Sequence, residues 1–177
     1  MNDDLSPYLS VHRYGLGDLL HEQARSRPNM SAVVDGDQNF TFAQLDDRVN
    51  RLAAVLRARG VGKGDRILWL GQNSFRVLES LLASARVGAI FCPANWRWSP
   101  DEIKFALEDF DPKIVFWQNL EIGDSNRAAR EHWNPNDNWI CHDGCDGEAD
   151  YESLISAADP ETEFAPVETS TPLLGIY

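Results

Sequence analysis

Lysine and arginine are absent after Arg130, although that stretch carries eleven of the 28 acidic residues. The first 130 residues hold all sixteen basic side chains against seventeen acidic ones, so the net charge of −12 is concentrated in the remainder. An acidic segment repels phosphate backbones, which argues against nucleic-acid binding through it and favours a solvated surface connection. No run of 18 apolar residues occurs, so no membrane-spanning helix is expected. The start, MNDDLSPYLS, lacks the basic and apolar regions of a secretory signal, and the expected compartment is the cytoplasm. Cysteine is scarce. Three residues, an odd number, make no disulfide framework, and reduced thiols are expected. No serine stands in a Gly-x-Ser-x-Gly setting, so that hydrolase nucleophile is excluded.

What remains is the patterning of a globular α/β chain, with 177 residues fitting one domain of ordinary size. GLGDLLHEQARSRPN spaces Leu16, Leu19 and Leu20 for one helical face and stops at Pro28-Asn29. SAVVDGDQNFTF places two short β-type runs around Asp35-Gly36 and reads as a hairpin. Thr41 and Gln44 have capping-box spacing ahead of Phe42, Leu45, Val49, Leu52 and Leu56, an amphipathic helix closed by Gly60. Next, RILWL, AIFCP and KIVFW are nearly continuous apolar runs, the mark of strands covered on both faces. Between them lie a helix capped by Asn73 or Ser74 and running to about Val87, and one begun by Ser99, Pro100 and Glu102 and ended at Asp111-Pro112. A weaker helix around residues 125–133 and a strand at NWICH follow. This alternation predicts right-handed βαβ crossovers and a parallel sheet with helices on both faces. From Asp143 to Thr171 the chain reads as a long acidic surface connection, with one short helix near residues 151–157. Beyond it, PLLGIY reads as the start of a buried strand.

Local chemistry offers candidates without completing a site. CHDGCDG, with His132 upstream, gathers two thiols and two imidazoles, the ligands zinc favours. Cys141 and His142 are adjacent, however, so a strand would turn them to opposite faces, and an ordinary strand ending in a polar turn is the better reading. Cys92 lies in an apolar strand end, where a thiol acts as a small hydrophobe. GVGKGDR resembles a phosphate cradle, but a dinucleotide loop follows a strand and opens a helix, whereas this one follows a helix and opens a strand. In PANWRWSP, two tryptophans flank Arg97 between a strand end and a capped helix, where parallel sheets place ligand crevices. Arg97 could hold a phosphate there, or the loop could simply be packed aromatics with an exposed arginine.

Taken in order, FTFAQLDDRVNRLAAVLRARGVGKGDRILWLGQNS and LLASARVGAIFCPANWRWSPDEIKFALEDFDPKIVFW resemble the N-terminal region of adenylate-forming enzymes, in particular acyl-CoA synthetases. The resemblance covers residues 15–117; residues 118–171 read as a variable acidic connection, and 172–177 as the strand that in the family leads into a Gly-rich phosphate loop. It implies a two-step reaction, in which a carboxylic acid, fatty or related, attacks ATP with Mg²⁺ to give an acyl-adenylate, and the thiol of CoA then displaces AMP. The family's phosphate loop and its adenine, ribose and lysine motifs lie downstream of such a strand, so these 177 residues imply no catalytic residue and no metal ligand. One contact carries over. Arg97, in Asn95-Trp96-Arg97, matches the arginine that lies near the CoA phosphates, although the family more often has Pro or Thr in place of Trp96 and Leu in place of Trp98. Asn73 matches a structural asparagine. Two alternatives stand beside the CoA ligase: an adenylation enzyme that loads a carrier protein, and a non-catalytic binding module that keeps the fold. Apolar surface shaped for further chain also predicts association between copies.

Overall fold

The computed structural model describes residues 14–131, 133, 138–145, 149–161 and 167–177. Helix α1 (Leu16–Ser26) precedes a hairpin of β1 (Ser31–Asp35) and β2 (Gln38–Thr41). The hairpin turns on Gly36 at φ 56°, a left-handed position that suits glycine. Helix α2 (Phe42–Ala58) starts at the expected box: Gln44 N donates to Thr41 Oγ1 at 3.3 Å, and Thr41 N donates to Gln44 Oε1 at 2.9 Å. Strands and helices then alternate as β3 (Arg66–Leu70), α3 (Phe75–Val87), β4 (Ile90–Pro93), α4 (Pro100–Phe110), β5 (Ile114–Trp117), α5 (Gly123–Arg130), β6 (Trp139–Cys141) and α6 (Tyr151–Ala157).

The strand order is β4-β3-β5-β6, and every neighbouring pair is parallel. Alternate side chains of each strand enter different cores. Ile67, Trp69, Phe91, Ile114, Phe116 and Ile140 pack beneath α1, α2, α3 and α6. Leu68, Leu70, Cys92, Val115, Trp117, Trp139 and Cys141 face the other way, against Ile103 and Leu107 of α4 and Ala129 of α5. Double coverage explains why these strands carry almost no polar side chains. The expected buried strand at PLLGIY is only a single bridge outside β4, through Phe91 N to Leu173 O at 2.8 Å and Gly175 N to Phe91 O at 2.9 Å. It leaves Leu174 and Ile176 exposed, because no helix among the described residues covers them at this edge.

Several expectations change in detail. Leu19 is 46% exposed whereas Leu20 is buried, because α1 turns Leu20, with Leu16 partly covered, toward α2 and α3. Ser74 is the N-cap of α3 but its hydroxyl makes no cap bond. The carboxylate of Asp35, reaching over from the hairpin, accepts from Phe75 N at 2.9 Å instead. The helix foreseen at 125–133 runs Gly123–Arg130. Cys141 and Cys145 are joined as a disulfide, against the expectation of reduced thiols; left-handed Gly144 (φ 88°) turns the chain so that Cys145 returns to Cys141.

The acidic connection is also less peripheral than its composition suggests. Tyr151 and Ile155 of α6 are buried in the first core. Glu152 accepts from both Arg48 (2.9 Å) and Arg76 (2.8 Å). Arg48 also pairs with Glu79, which has no exposed surface and accepts from the Tyr151 hydroxyl at 3.0 Å. Burial raises the Glu79 pKa above the ordinary glutamate value, and Arg48 opposes that rise. Burial alone would lower the Arg48 pKa, but its hydrogen bonds to Glu79 and Glu152 raise it on balance.

Replacing Arg48 with methionine should strand the Glu79 carboxylate and cost about 3–5 kcal/mol of stability near neutral pH. A carboxyl whose folded pKa is raised loses stability as pH climbs from its unfolded value through its folded one. The Arg48→Met deficit should therefore shrink on acidification, as protonation relieves Glu79. Urea unfolding at neutral and mildly acidic pH checks this; an equal deficit at both would remove Glu79 from the explanation.

Candidate functional site

Open parallel sheets hold ligands beyond the carboxyl ends of their strands, where successive crossovers diverge. Here β3 leads through α3 to β4, whereas β4 leads through α4 on the other face to β5, so the divergence falls between β3 and β5. That point is bridged by two glutamines. Gln72 N donates to Gln118 Oε1 at 2.8 Å, and Gln118 Nε2 donates back to Gln72 Oε1 at 3.3 Å. Beneath them, the imidazole of His142 stacks on the Trp69 indole with ring centroids 4.2 Å apart. Burial pushes the His142 pKa down to about 4, so the ring is neutral near neutral pH. A Cβ on residue 71 would overlap His142 Nε2 and stand 3.1 Å from Trp69 Nε1, which explains the glycine there.

The β4–α4 turn carries the sequence candidate. Ala94 N donates to Trp69 O at 2.9 Å, fixing the exit from β4. Asn95 then shapes the turn: its side-chain oxygen accepts from Arg97 N at 3.1 Å, and its carbonyl accepts from Trp98 N at 3.0 Å. The Arg97 side chain is exposed, and its guanidinium lies 4.2 Å from the centre of the Trp96 ring. Among the described residues Arg97 forms no ion pair. Trp98 packs inward against the second core and meets Tyr177 edge-on at 5.9 Å. Tyr177 also contacts Phe105 and Phe110 and donates to Asp109 at 2.6 Å. The turn is thus buttressed on one side and open to solvent at Arg97. What the arrangement offers chemically is one cation, held on an aromatic face at the end of a strand, suited to an anion.

Other candidates are absorbed by structure. Cys92 is buried, and burial pushes its thiol up to about 11, far from a reactive thiolate. The Gly60–Gly64 segment is a helix-to-strand turn in which Gly62 N donates to Asp65 and Gly64 N to Gly88 O, leaving those donors occupied. His142 and Cys141 do face opposite cores, and His132 lies outside the described residues. A cavity of about 240 Å³ opens at the start of β4, the end of that strand away from Arg97, where Arg86 is committed to Asp46 and to Gly17 O. The Gln72–Gln118 pair escapes sequence reading, since nothing in either loop announces a partner. Glu79 left a signal: a carboxylate placed in the apolar stripe of α3 between Phe75 and Leu82.

Comparison with known proteins now places the chain in a family. Residues 20–172 match the model of the AMP-binding enzymes. A feruloyl-CoA synthase from Amycolatopsis sp is 44% identical over 105 residues, which are 59% of this chain and 21% of that protein. A medium/long-chain-fatty-acid–CoA/3-oxocholest-4-en-26-oate–CoA ligase from Mycobacterium marinum is 26% identical over 92% of the chain and 30% of its own length. Among solved structures, a Mycobacterium tuberculosis fatty acyl CoA synthetase superimposes with a TM-score of 0.82 at 26% identity, covering 99% of this chain and 33% of that one. The chain belongs to the AMP-binding enzyme family and has the fold of its N-terminal region. It spans between about a fifth and a third of the length of these relatives.

Gly71→Ala should destabilise the fold by about 1–3 kcal/mol, because the new methyl has no room beside His142. His142→Ala should recover part of that loss in the double variant, a coupling of about 0.5–3 kcal/mol measurable by a double-mutant cycle. Purely additive effects would remove the proposed overlap.

Proposed function

We propose that the chain is the N-terminal portion of an ATP-dependent acyl-CoA ligase of the cytoplasm. Such an enzyme activates a carboxylic acid through an acyl-adenylate, with ATP and Mg²⁺, and transfers the acyl group to CoA. Support comes from the family match and from the activities for which its relatives are named, which range from feruloyl to fatty and sterol-derived acids. The acid of this protein belongs to that broad class, fatty or related. The observation that carries the CoA half of the reading is Arg97, a cation without a carboxylate partner among the described residues, presented to solvent by the Asn95 turn.

In this reading Arg97 contacts a phosphate of CoA and has no part in adenylation. In the full-length enzyme, Arg97→Ala should raise the KM for CoA about 5- to 150-fold, the worth of a charge-assisted hydrogen bond, and leave acyl-adenylate formation nearly unchanged. An unaltered KM for CoA would reduce Arg97 to a surface residue. A carrier-protein acceptor would instead appear as acyl transfer to a pantetheinylated protein with none to free CoA.

The 177 residues alone should be inactive. Adenylation depends on donors that hold the β- and γ-phosphates and Mg²⁺ during attack, and in the one Gly-Lys turn here the amides of Gly62 and Gly64 are engaged. No ATP–pyrophosphate exchange is expected with any carboxylic acid. Exchange by protein of confirmed intact mass would overturn the reading of an incomplete enzyme, and would separate it from a binding module only if a carboxylic acid is required.

A further inference from the structure

The loop that follows β6 brings three donors of metal-ligand type together without a role in the reading above. The Sγ atoms of Cys141 and Cys145 and a carboxylate oxygen of Asp143 all lie within 4.8 Å of one another. The sequence rejects a Cys–His site at this place, and the geometry agrees: the His142 ring turns away to stack on Trp69. The third donor is the residue midway between the two cysteines in sequence, Asp143, which has no distinctive spacing to announce it.

Its placement is not accidental. Asp143 Oδ1 accepts from Asn119 N and Oδ2 from Leu120 N, both at 2.7 Å, so two backbone amides of the β5–α5 connection fix the carboxylate. Such fixed hydrogen bonds orient ligating carboxylates and leave lone pairs for coordination. Cys141 is buried at the end of a strand, and its Sγ lies 3.2 Å from Asp143 Oδ1. Gly144, at φ 88°, makes the reversal that returns Cys145 with its Cα 6.0 Å from that of Cys141. Asp143 and Cys145 are only partly buried, which leaves one side of the cluster open to solvent.

We propose that Cys141, Asp143 and Cys145, with both thiols reduced, form a binding site for a thiophilic divalent cation of the zinc class, and that the disulfide is its oxidised, metal-free form. Two thiolates and one carboxylate suit Zn²⁺ or Co²⁺ and are wrong for Mg²⁺ or Ca²⁺, which require oxygen ligands throughout. Tetrahedral coordination takes its fourth ligand, water, from the open side. The two forms exclude each other, since sulfurs bonded to one another offer no thiolate. Reduction by a phosphine breaks the S–S bond, delivers two electrons to the sulfurs, and leaves two thiols and a phosphine oxide whose oxygen comes from water. Binding of M²⁺ then displaces two thiol protons. The third cysteine, Cys92, cannot contribute: it sits on β4, three strand positions away across the sheet, about 14 Å at the usual spacing.

The test is titration of the phosphine-reduced chain with Co²⁺ under anaerobic conditions. One Co²⁺ per chain should bind, with a thiolate-to-cobalt charge-transfer band in the near ultraviolet, release of two protons, and displacement by one equivalent of Zn²⁺. The disulfide form of the same protein should show no band, a control that involves no substitution and so no risk to folding. Cys145→Ser should abolish the two-sulfur spectrum, Asp143→Asn should keep it while weakening affinity about 10- to 100-fold, and His142→Ala should leave the stoichiometry at one. A reduced chain with alkylatable Cys141 and Cys145 that shows no band at equimolar Co²⁺ would overturn the proposal, as would a band that survives Cys145→Ser.

Discussion

A strand covered on both faces has no solvent-facing side to which polar residues can be consigned, and β5, with β3 beyond its first residue Arg66, meets that constraint. Every residue of Ile67–Leu70 and Ile114–Trp117 is buried. Helices must therefore lie on both sides, and each crossover must leave the sheet in one of only two directions. The placement of α1, α2, α3 and α6 over one core, and of α4 and α5 over the other, follows from that demand. So does the position of the Arg97 turn, which lies where β4 runs out of sheet and α4 begins on the second face.

The buried charged side chains inside this frame, Asp46, Glu79 and Arg86, each answer an opposite charge. Arg48 holds Glu79 and Glu152 together and lies over the rings of Phe40 and Phe75, so one side chain joins the hairpin, α2, α3 and α6. A second device, Asp46 between His21 and Arg86, ties α1 to α2 and α3. Removing Arg48 or Arg86 leaves a buried carboxylate, Glu79 or Asp46, without its cation, which costs far more than the intact pair contributes.

Most of the fold was legible because the signals are local and redundant. Thr41 with Gln44, and Ser99 with Pro100 and Glu102, announce helix starts within four residues, and the apolar runs announce doubly covered strands. What escaped depends on residues far apart in sequence. Asp35 caps α3 from a different element, Glu152 finds Arg48 and Arg76 across the molecule, and the acidic composition of the region gave no hint that Tyr151 would be buried. An odd cysteine count argued for free thiols, but counting says nothing about a glycine that folds one pair together. At the candidate site, the position of Arg97 could be read from PANWRWSP, whereas the Trp96 stack and the Asn95 turn required coordinates.

The rung formed by residues 173–175 bears on the order in which the molecule assembles. Strands β3 to β6 join through crossovers of one helix or less each, short loops for a parallel sheet. Phe91, by contrast, waits on its outer side for Leu173 and Gly175, after the whole of α4, β5, α5, β6 and α6 has intervened. Closing so long a loop is entropically costly, and it is favoured once the rest of the sheet is already in place. A chain made from its N-terminus could thus complete the four-stranded sheet while the edge of β4 is still bare. During that interval the unpaired amide of Phe91 is open to any extended strand nearby, the usual liability of a bare sheet edge.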